Sequence, residues 1–406
     1  MVHREGNRVL IYSHDSYGLG HLRRCRAIAH SLVRHNPEVS VLILSGSPFI
    51  GNFPFRTRVD FVRLPGVIKQ RNGDYSSHSL HLRIEETVAL RAAIIRHTAD
   101  GFDPDLFIVD KEPHGLRGEV SDTLDLLKAR GTSLVLGLRD IMDEPDLLSR
   151  EWERKQAMPV LRDVYDQIWV YGLPQICDPL EGLEVPASVR RKMIYTGYLR
   201  RRVPEETTSV SPFDGGPYVL VTVGGGADGT EVIDWILDAY ETDKELPIPA
   251  FIVFGPFLAP EQQAAFNERI ERLDNVEAIT FDRTPELLMA KAASVVAMGG
   301  YNTFCEILSF NKKAVVVPRT EPRLEQFIRA SRAQELGLLR MLIDDGKRNP
   351  RVMATALRHL QQQNPPSDVI LPGLLHGLDN VNRLADHIFA RERAVAGLRV
   401  AGGSPG

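Results

Sequence analysis

The feature that most constrains this 406-residue chain is the alternation of short apolar runs with longer stretches of helical spacing. The runs VSVLILS at 39–45 and LFIVD at 106–110 are typical of buried strands. The stretch 22–34 between such runs has the apolar period of a helix. Strands that alternate with helices predict an α/β fold with parallel sheets covered on both faces.

The pattern runs through both halves of the chain. In the first half we predict strands at 9–13, 39–45, 61–64, 106–110, 133–138, 168–171 and 194–196, with helices at 22–34, 82–99 and 120–130. In the second half we predict strands at 218–223, 250–254, 276–281, 294–298 and 314–317, with helices at 231–241, 260–273, 285–292, 304–309 and 323–336. This repetition predicts two Rossmann-like, doubly wound parallel-sheet domains that face each other across a cleft.

A polar segment with three prolines, residues 200–217, separates the halves and has no apolar period. We predict an N-terminal domain at 1–203, a linker at 204–216 and a C-terminal domain at 217–378. A last helix at 379–394 is expected to cross back to the N-terminal domain, followed by a disordered tail at 395–406. A length of 406 residues fits two domains.

Composition excludes several classes of protein. A net charge of −4 gives no nucleic-acid signal. Cys25, Cys177 and Cys305 are odd in number and form no CxxC pair, so neither a disulfide framework nor a zinc site is expected. Free cysteines favour a reducing cytoplasm, and the first apolar run is too short for a signal peptide or a membrane span.

The first candidate site is SHDSYGLGH at 13–21, where a strand ends and a helix begins. Ligands bind at such edges of doubly wound sheets. Gly18 and Gly20 let backbone approach a ligand, and the helix start attracts anions. His21 is our candidate general base, because its pKa is close to neutral pH. The alternative is a histidine that only completes the turn.

The same loop holds further candidates. Asp15 could orient a histidine or contact a substrate, and His14 is a weaker acceptor-side candidate. Arg24, like Arg23 beside it, is either an anion contact or a solvated helix residue. A structural role in the turn is the alternative for His14.

The second candidate site is the glycine run Gly224, Gly225 and Gly226, between a predicted strand and helix. Consecutive glycines expose N–H groups that suit the oxyanions of a diphosphate. The alternative is a tight turn with positive φ, for which one glycine would suffice. We therefore predict phosphate binding here.

The third candidate site follows the strand at 294–298. Gly299 and Gly300 turn the chain, and Asn302 and Thr303 are expected to cap a short helix and face a phosphate. Glu306 lies one turn into that helix, between Cys305 and Ile307. Its carboxylate could accept hydrogen bonds from a ribose diol, with a solvated helix residue as the alternative.

Two further groups follow predicted strands. Glu325 and Gln326 open a helix and suit sugar hydroxyls, although acids are also common at helix starts. Glu112 and His114 follow the strand at 106–110, and Arg139 ends the strand at 133–138. These three are acceptor-side candidates; loop structure, or pairing of Arg139 with Asp140, is the alternative.

Two segments have ordinary explanations beside functional ones. Asp103-Pro-Asp105 looks like a metal-binding DxD motif, but it precedes its strand and is better interpreted as a turn, so no metal is expected. The loop at 46–55 holds three phenylalanines and could contact a membrane, with help from Arg56 and Arg58. Buried loop aromatics are the more common outcome.

Taken together, these residues resemble the B-type glycosyltransferase superfamily, above all the inverting family 28 that includes the bacterial N-acetylglucosaminyltransferase of peptidoglycan lipid intermediates. The most specific part is GGYNTFCEILSFNKKAVVVPRTEPRLEQ at 299–326. The resemblance implies that Glu306 contacts ribose and that Glu325 and Gln326 contact donor-sugar hydroxyls. Glu325 departs from the family, which has an amide at the first of these two positions.

The resemblance also assigns roles elsewhere. Gly224–Gly226 match the diphosphate loop, and His21 matches a histidine that is a base or acceptor contact in the family. Phe281 and Arg283 fall where the family has its base-binding loop. The stretch YGLGHLRRCRAIAHSL also resembles the GxGHxxR loop of nucleotide-sugar hydrolases of the same fold.

These assignments predict an inverting, metal-independent transfer of sugar from a nucleotide-diphosphate donor, such as a UDP-sugar, to an acceptor hydroxyl. The enzyme would be cytoplasmic, with a lipid-linked or polysaccharide acceptor and peripheral contact with the inner face of the membrane as options. The alternatives are a nucleotide-sugar hydrolase, a sugar-nucleotide 2-epimerase and a non-catalytic nucleotide-sugar-binding subunit of a membrane transferase. A dehydrogenase is disfavoured because no GxGxxG motif follows a strand.

Overall fold

The computed structural model describes residues 6–14, 19–70, 74–203, 212–226, 228–282 and 284–401. The strands are β1 (Asn7–Ser13), β2 (Val39–Ser45), β3 (Val59–Arg63), β4 (Val67–Lys69), β5 (Tyr75–Ser77), β6 (Leu106–Asp110), β7 (Ser133–Arg139), β8 (Gln167–Tyr171), β9 (Met193–Tyr195), β10 (Val219–Thr222), β11 (Ala250–Val253), β12 (Val276–Ile279), β13 (Ser294–Ala297), β14 (Ala314–Val316) and β15 (Arg340–Met341).

The helices alternate with these strands. They are α1 (Gly20–His35), α2 (Ile84–Phe102), α3 (Ser121–Arg130), α4 (Pro145–Arg154), α5 (Ala157–Asp163), α6 (Ala187–Arg190), α7 (Thr230–Thr242), α8 (Pro260–Ile270), α9 (Pro285–Lys291), α10 (Tyr301–Ser309), α11 (Glu325–Glu335), α12 (Pro350–Leu360) and α13 (Gly377–Ala401). The chain divides into two units, residues 1–199 with 376–406, and residues 200–375.

The first unit contains a seven-stranded sheet in the order β3-β2-β1-β6-β7-β8-β9, and each neighbouring pair is parallel. All five residues of β6 are buried, as expected for a strand covered on both faces. The strand order reverses between β1 and β6, where Tyr12 pairs with Val109. Loops that follow β1 and β6 therefore open at the point where ligands bind in doubly wound sheets.

The second unit contains a six-stranded parallel sheet in the order β12-β11-β10-β13-β14-β15. Its order reverses between β10 and β13, where Thr222 pairs with Ala297. The glycine run after β10 and the Gly299–Gly300 turn after β13 consequently leave adjacent strand ends. Both units thus have the predicted doubly wound α/β architecture.

Helix α13 packs against α1 within the first unit. Val381, Ala385, Ile388 and Phe389 form its buried stripe at helical spacing. The Asn382 side chain donates to Ser31 Oγ at 3.0 Å, and His35 Nε2 lies 2.7 Å from an Asp386 carboxylate oxygen. The predicted disordered tail is wrong in part, because helix continues to Ala401. Ala, Leu and Arg favour helix there, and the first strong stop signal is Gly402-Gly403.

The aromatic loop at 46–55 packs into the first unit. Phe53 is buried, with the Arg26 guanidinium 5.4 Å from its ring centroid. The Phe55 ring lies 5.2 Å from that of Phe61 and 6.0 Å from that of His30. These contacts favour buried loop aromatics over a membrane patch. Within the described ranges, no helix combines the length and apolar character that crossing a membrane requires.

Candidate active site

The strand reversal of the first unit holds a buried charged cluster. Asp110 ends β6, and its carboxylate accepts hydrogen bonds from Arg24 Nε at 2.8 Å and from Arg24 Nη2 at 2.6 and 2.8 Å. His21 Nδ1 also contacts Asp110 Oδ2. His21 and Arg24 lie one helical turn apart at the start of α1, so both reach the end of the neighbouring strand.

The tautomer of His21 follows from its partners. An ionised carboxylate only accepts hydrogen bonds, so the contact with Asp110 requires a proton on Nδ1. Arg24 Nη2 is 3.0 Å from the same nitrogen, but two donors cannot bond each other, and Arg24 therefore bonds Asp110. In neutral His21 this leaves Nε2 unprotonated and able to accept a proton.

The electrostatics of the cluster support a neutral histidine. Burial lowers the pKa of His21, and the nearby Arg24 charge acts in the same direction, against the Asp110 charge. Burial alone would raise the pKa of Asp110, but the Arg24 charge and the hydrogen bonds from His21 and Arg24 outweigh it and hold this pKa below its usual range. At neutral pH the cluster therefore contains a carboxylate, a guanidinium and an uncharged imidazole whose side chain is 23% exposed.

His14 lies beside this cluster. Its ring centroid is 5.6 Å from that of His21, in an edge-to-face arrangement, and its Nδ1 is 3.5 Å from Tyr12 Oη. Burial holds the pKa of His14 well below its ordinary value. His14 is thus a buried, neutral neighbour of His21, which fits a packing role in the turn.

The other acceptor-side candidates of the first unit are bound into the structure. Glu112 is buried and accepts from Lys155 Nζ at 2.6 Å. Burial raises the pKa of Glu112, but the Lys111 and Lys155 charges and the hydrogen bond from Lys155 bring it below its ordinary value. His114 Nδ1 lies 3.3 Å from Ser121 Oγ, and its Nε2 lies 3.4 Å from the Gln156 carbonyl. These contacts favour loop structure for both residues.

The remaining predictions of the first unit have mixed outcomes. Arg139 ends β7, and neighbouring Asp140 accepts from Tyr198 Oη at 2.8 Å. Gly20 is the first residue of α1. Asp15 and Gly18 lie outside the described residues, so Asp110 is the carboxylate that the structure brings to His21.

A cavity of about 380 Å³ lies between α4, α5 and the loop around Gly182. Its lining includes Trp152, Met158 and Leu183, together with Gln156, the residue after Lys155. Because the Gln156 carbonyl lies 3.4 Å from His114 Nε2, this cavity of small-molecule size lies beside the loop that follows β6.

The strand reversal of the second unit is built from backbone. Gly224 and Gly226 have φ of +68° and +91°, values that favour glycine. A Cβ on Gly225 would lie 2.9 Å from the Phe257 ring, and one on Gly226 would lie 2.4 Å from the Phe254 carbonyl oxygen. The expectation that one glycine would suffice for this turn is therefore wrong, because two of the three have positive φ and a Cβ on Gly225 or Gly226 would collide with neighbouring atoms.

Gly224 differs from its two neighbours. It is exposed, and a Cβ there would meet no atom within 4 Å. Its glycine is required by backbone conformation and not by packing, so its outer face is open to an approaching ligand. Helix α7 begins shortly after this loop, with Gly229 as its N-cap.

The helix that starts beside this loop is held by two arginines. Helix α10 begins at Tyr301 with Gly300 as N-cap, so the prediction that Asn302 and Thr303 cap it is wrong. Asn302 instead accepts from Arg201 Nη2 at 2.6 Å. Arg329 Nη1 donates to the Gly299 carbonyl at 3.0 Å and thereby fixes the turn.

The predicted sugar and ribose contacts are buried acids and amides. Glu306 is buried on α10, and Glu325 and Gln326 are buried at the start of α11. Arg319 links this region to the glycine run, because its guanidinium contacts Asp228 and lies 3.5 Å from Glu325. Gln326 Oε1 accepts from the Arg319 amide at 3.1 Å.

Of the two base-binding candidates, Phe281 lies on the same edge of the sheet. Phe281 is two residues beyond the end of β12 and half-buried. Arg283 lies outside the described residues. The second unit therefore brings a glycine turn, a helix start and buried acids to one strand edge.

No metal centre emerges from the part of the chain that the structure describes, where no group of three or more His, Cys, Asp or Glu is arranged to hold an ion. Asp103, from the DxD-like segment, caps the C-terminus of α2 in a left-handed conformation. Asp105 accepts from the Arg8 amide at 2.7 Å. Both residues therefore belong to a turn.

Sequence reasoning left two interpretations open for Arg24 and assigned no role to four further residues of these sites, Asp110, Arg201, Arg319 and Arg329. Asp110 could have been found from the sequence, because it is the one charged residue in an otherwise apolar strand, LFIVD. Arg201, Arg319 and Arg329 had no such signal, since each bonds a residue that is distant in sequence: Asn302, Asp228 and Gly299, respectively.

Comparison with solved structures identifies the class of fold. The chain is similar to MurG of Acinetobacter baumannii, with a TM-score of 0.54, 13% identity and coverage of 95% of this chain and 99% of that chain. It is also similar to the spinosyn forosaminyltransferase SpnP, with a TM-score of 0.59, 14% identity and coverage of 97% and 100%. A third similar structure is the glycosyltransferase of kitacinnamycin, with a TM-score of 0.59, 13% identity and coverage of 94% of this chain and 95% of that chain. The fold is that of the B-type glycosyltransferases.

A family model adds a more particular match. Residues 219–367 match the glycosyltransferase family 28 C-terminal domain. None of the curated protein sequences compared with the chain matches it significantly. The predicted resemblance to family 28 and to the B-type fold is confirmed, and the comparisons support a glycosyltransferase.

Proposed function

We propose that this chain transfers a sugar from a nucleotide-diphosphate donor to an acceptor hydroxyl with inversion and without a metal. The observation that carries the proposal is the contact of His21 Nδ1 with Asp110 at the strand reversal of the first unit. It leaves Nε2 of a neutral imidazole as a proton acceptor. A base of this kind suits the activation of a hydroxyl.

In the proposed step, His21 Nε2 removes the acceptor proton as the acceptor oxygen forms a bond to the anomeric carbon. The bond between that carbon and the donor phosphate oxygen breaks, and the nucleoside diphosphate leaves with the electron pair. One displacement of this kind inverts the anomeric centre. Asp110 keeps the proton on Nδ1 and stabilises the imidazolium that forms, a role that the sequence had suggested for Asp15.

We assign donor binding to the second unit. Its strand reversal offers the exposed Gly224 and the start of α10, and both features suit phosphate oxygens. Glu306 is the proposed ribose contact, and Glu325 and Gln326 are the proposed donor-sugar contacts. Buried acids that are held by neighbouring groups are pre-organised for hydroxyl recognition.

A single ligand panel tests the proposal. Thermal shifts with nucleoside diphosphates and their sugars, UDP-sugars included, identify the donor, and mass spectrometry then detects product with and without acceptors. Transfer that persists in EDTA and gives the inverted anomer supports the proposal. A donor that binds without turnover would instead indicate a non-catalytic subunit.

A nucleotide-sugar hydrolase is the second candidate, because the same His21–Asp110 pair could activate water and the loop resembles GxGHxxR. Release of free sugar at the full rate without acceptor would favour this candidate. Product in which the sugar is epimerised at carbon 2 would favour the remaining alternative. A lipid-linked acceptor, with a site of action at the inner face of the membrane, is tested by including lipid acceptors in the panel.

A further inference from the structure

The transfer step leaves Arg24 without a role, although its guanidinium is the main partner of Asp110. We propose that Arg24 is a positioning residue that keeps His21 in its proton-accepting form by occupying Asp110, and that it thereby sets the lower pH limit of activity. This inference rests on the proposed function, in which His21 is the base.

The geometry gives Arg24 control of the carboxylate. Arg24 Nε and Nη2 donate to Asp110 Oδ1 at 2.8 and 2.6 Å, and Nη2 also reaches Oδ2 at 2.8 Å. The two side chains are only 2% and 3% exposed, so little water screens the pair. Because Oδ2 is also the oxygen that contacts His21 Nδ1, the guanidinium fixes the carboxylate against the imidazole.

The charges explain the effect on His21. A carboxylate alone would stabilise the imidazolium and raise the pKa of its partner. Asp110 paired with Arg24 is close to neutral as a unit, so that it orients the ring while stabilising its charged form less. Lys111 also disfavours a charged His21, whereas neutral His14 beside it and Glu112, paired with Lys155, add little opposing charge.

A purely structural role is the competing explanation, because a buried ion pair also ties α1 to β6. The chain offers a matched case in Arg91 and Glu119, which are fully buried in the same unit. Arg91 Nε and Nη2 donate to the two Glu119 oxygens at 2.6 and 2.7 Å. Among the described residues neither side chain contacts His21 directly, and Tyr12, which donates to Glu119 at 2.6 Å, lies between the pair and His14. The pair therefore serves as a control for the loss of a buried ion pair.

The test compares pH profiles of kcat/KM for the full chain, Arg24→Met, Arg24→Lys and Arg91→Met. Loss of the Arg24 charge should move the acidic limb upward by about one pH unit or more, because an uncompensated Asp110 holds a proton in the pair to higher pH. Arg24→Lys keeps the charge and should stay close to the unaltered chain in its apparent pKa, with a lower kcat. Arg91→Met should lower Tm and leave the profile in place.

An acidic limb in Arg24→Met that coincides with that of the full chain would overturn the proposal. If the methionine variant does not fold, Arg24→Gln carries the same test, because it keeps donors toward Asp110 without the charge. The NMR titration of the His21 ring, assigned by its loss in His21→Gln, follows protonation without turnover. A titration moved by loss of the Arg24 charge in a chain with no transfer activity would refute the proposed function and leave the role of Arg24 standing.

Discussion

The strand reversals of the two units share a topology and differ in what they present. In the first unit, side chains converge: His21, Arg24 and Asp110 form a hydrogen-bonded cluster at the ends of adjacent elements. In the second unit, backbone turns do so, with positive φ at Gly224 and Gly299. In the proposed function, one doubly wound sheet supplies a base and the other binds phosphate, and the difference lies in a few residues after β1 and β6 in the first unit and after β10 and β13 in the second.

The largest expected effect is on kcat, at the side-chain cluster of the first unit. His21→Ala removes the proposed base and should lower kcat by on the order of 10³-fold, within the range typical of general base catalysis. The dissociation constant for the donor should change little, because donor binding is assigned to the other unit. Steady-state kinetics and calorimetric donor titration measure the two quantities.

His97→Ala is the matched control for this variant. His97 is exposed on α2, where its Nδ1 contacts the Ala93 carbonyl. It should retain full turnover. An unchanged kcat in His21→Ala would show that His21 is not the base, and the first unit would then have no assigned role in proton transfer.

A second effect of nearly the same size is expected at Asp110. In Asp110→Asn, Arg24 donors would take the amide oxygen and turn the amide N–H group toward His21. The histidine proton would then move to Nε2, which could no longer accept one, so kcat should fall by on the order of 10²–10³-fold. The 15N chemical shifts of the His21 ring report the tautomer directly.

Asp178→Asn controls for the loss of an arginine partner, because Asp178 contacts Arg190 in the same unit without a histidine. It should lower Tm and preserve kcat. An unchanged His21 tautomer in Asp110→Asn would mean that Asp110 does not orient the base, whatever the change in rate.

The fold was predictable because each buried strand appears in the sequence as a short, continuous apolar run. The runs at 39–45 and 106–110 coincide with β2 and β6 at both ends. Helix α12 was missed although its signals were present, since Asn349 caps it and Met353, Leu357 and Leu360 give it a buried face. The hairpin of β4 and β5 was missed because three-residue strands carry no period.

The candidate site was only half predictable. His21 and the glycine turns follow apolar runs and could be found from sequence order alone. Asp110 lies 89 residues from His21, and the two meet only because β6 pairs with β1. The pairing order of strands is a tertiary property, so no local pattern could have replaced Asp15 by Asp110 as the partner of the histidine.

At the backbone turn of the second unit, Gly224→Ala should weaken donor binding by about tenfold. The added Cβ meets no protein atom within 4 Å, so the fold is retained at a strain of roughly 1–2 kcal/mol, while the methyl group covers the open face of the turn. Gly346 is the matched control, because its φ is +75° and a Cβ there is equally unobstructed. Equal donor affinity in Gly224→Ala and Gly346→Ala, measured by calorimetry, would leave the glycine run with steric roles only.

The smallest expected effect separates a ligand contact from a buried structural acid. Glu306 is buried on α10. The hypothesis of a ribose contact and that of a purely structural acid both predict that Glu306→Gln lowers Tm. A ribose contact further predicts that the variant binds a nucleoside diphosphate several-fold more weakly, up to about tenfold. The reason is that a neutral amide accepts hydrogen bonds from the ribose diol less strongly than a carboxylate does. A 2′,3′-dideoxy analogue lacks that diol, so its affinity should be the same for the variant and the full chain. Glu277→Gln, an exposed change on β12 of the same unit, should alter neither affinity. Equal weakening for ribose and dideoxyribose ligands would assign Glu306 to the packing of α10, and the second unit would then recognise the donor through its backbone turns alone.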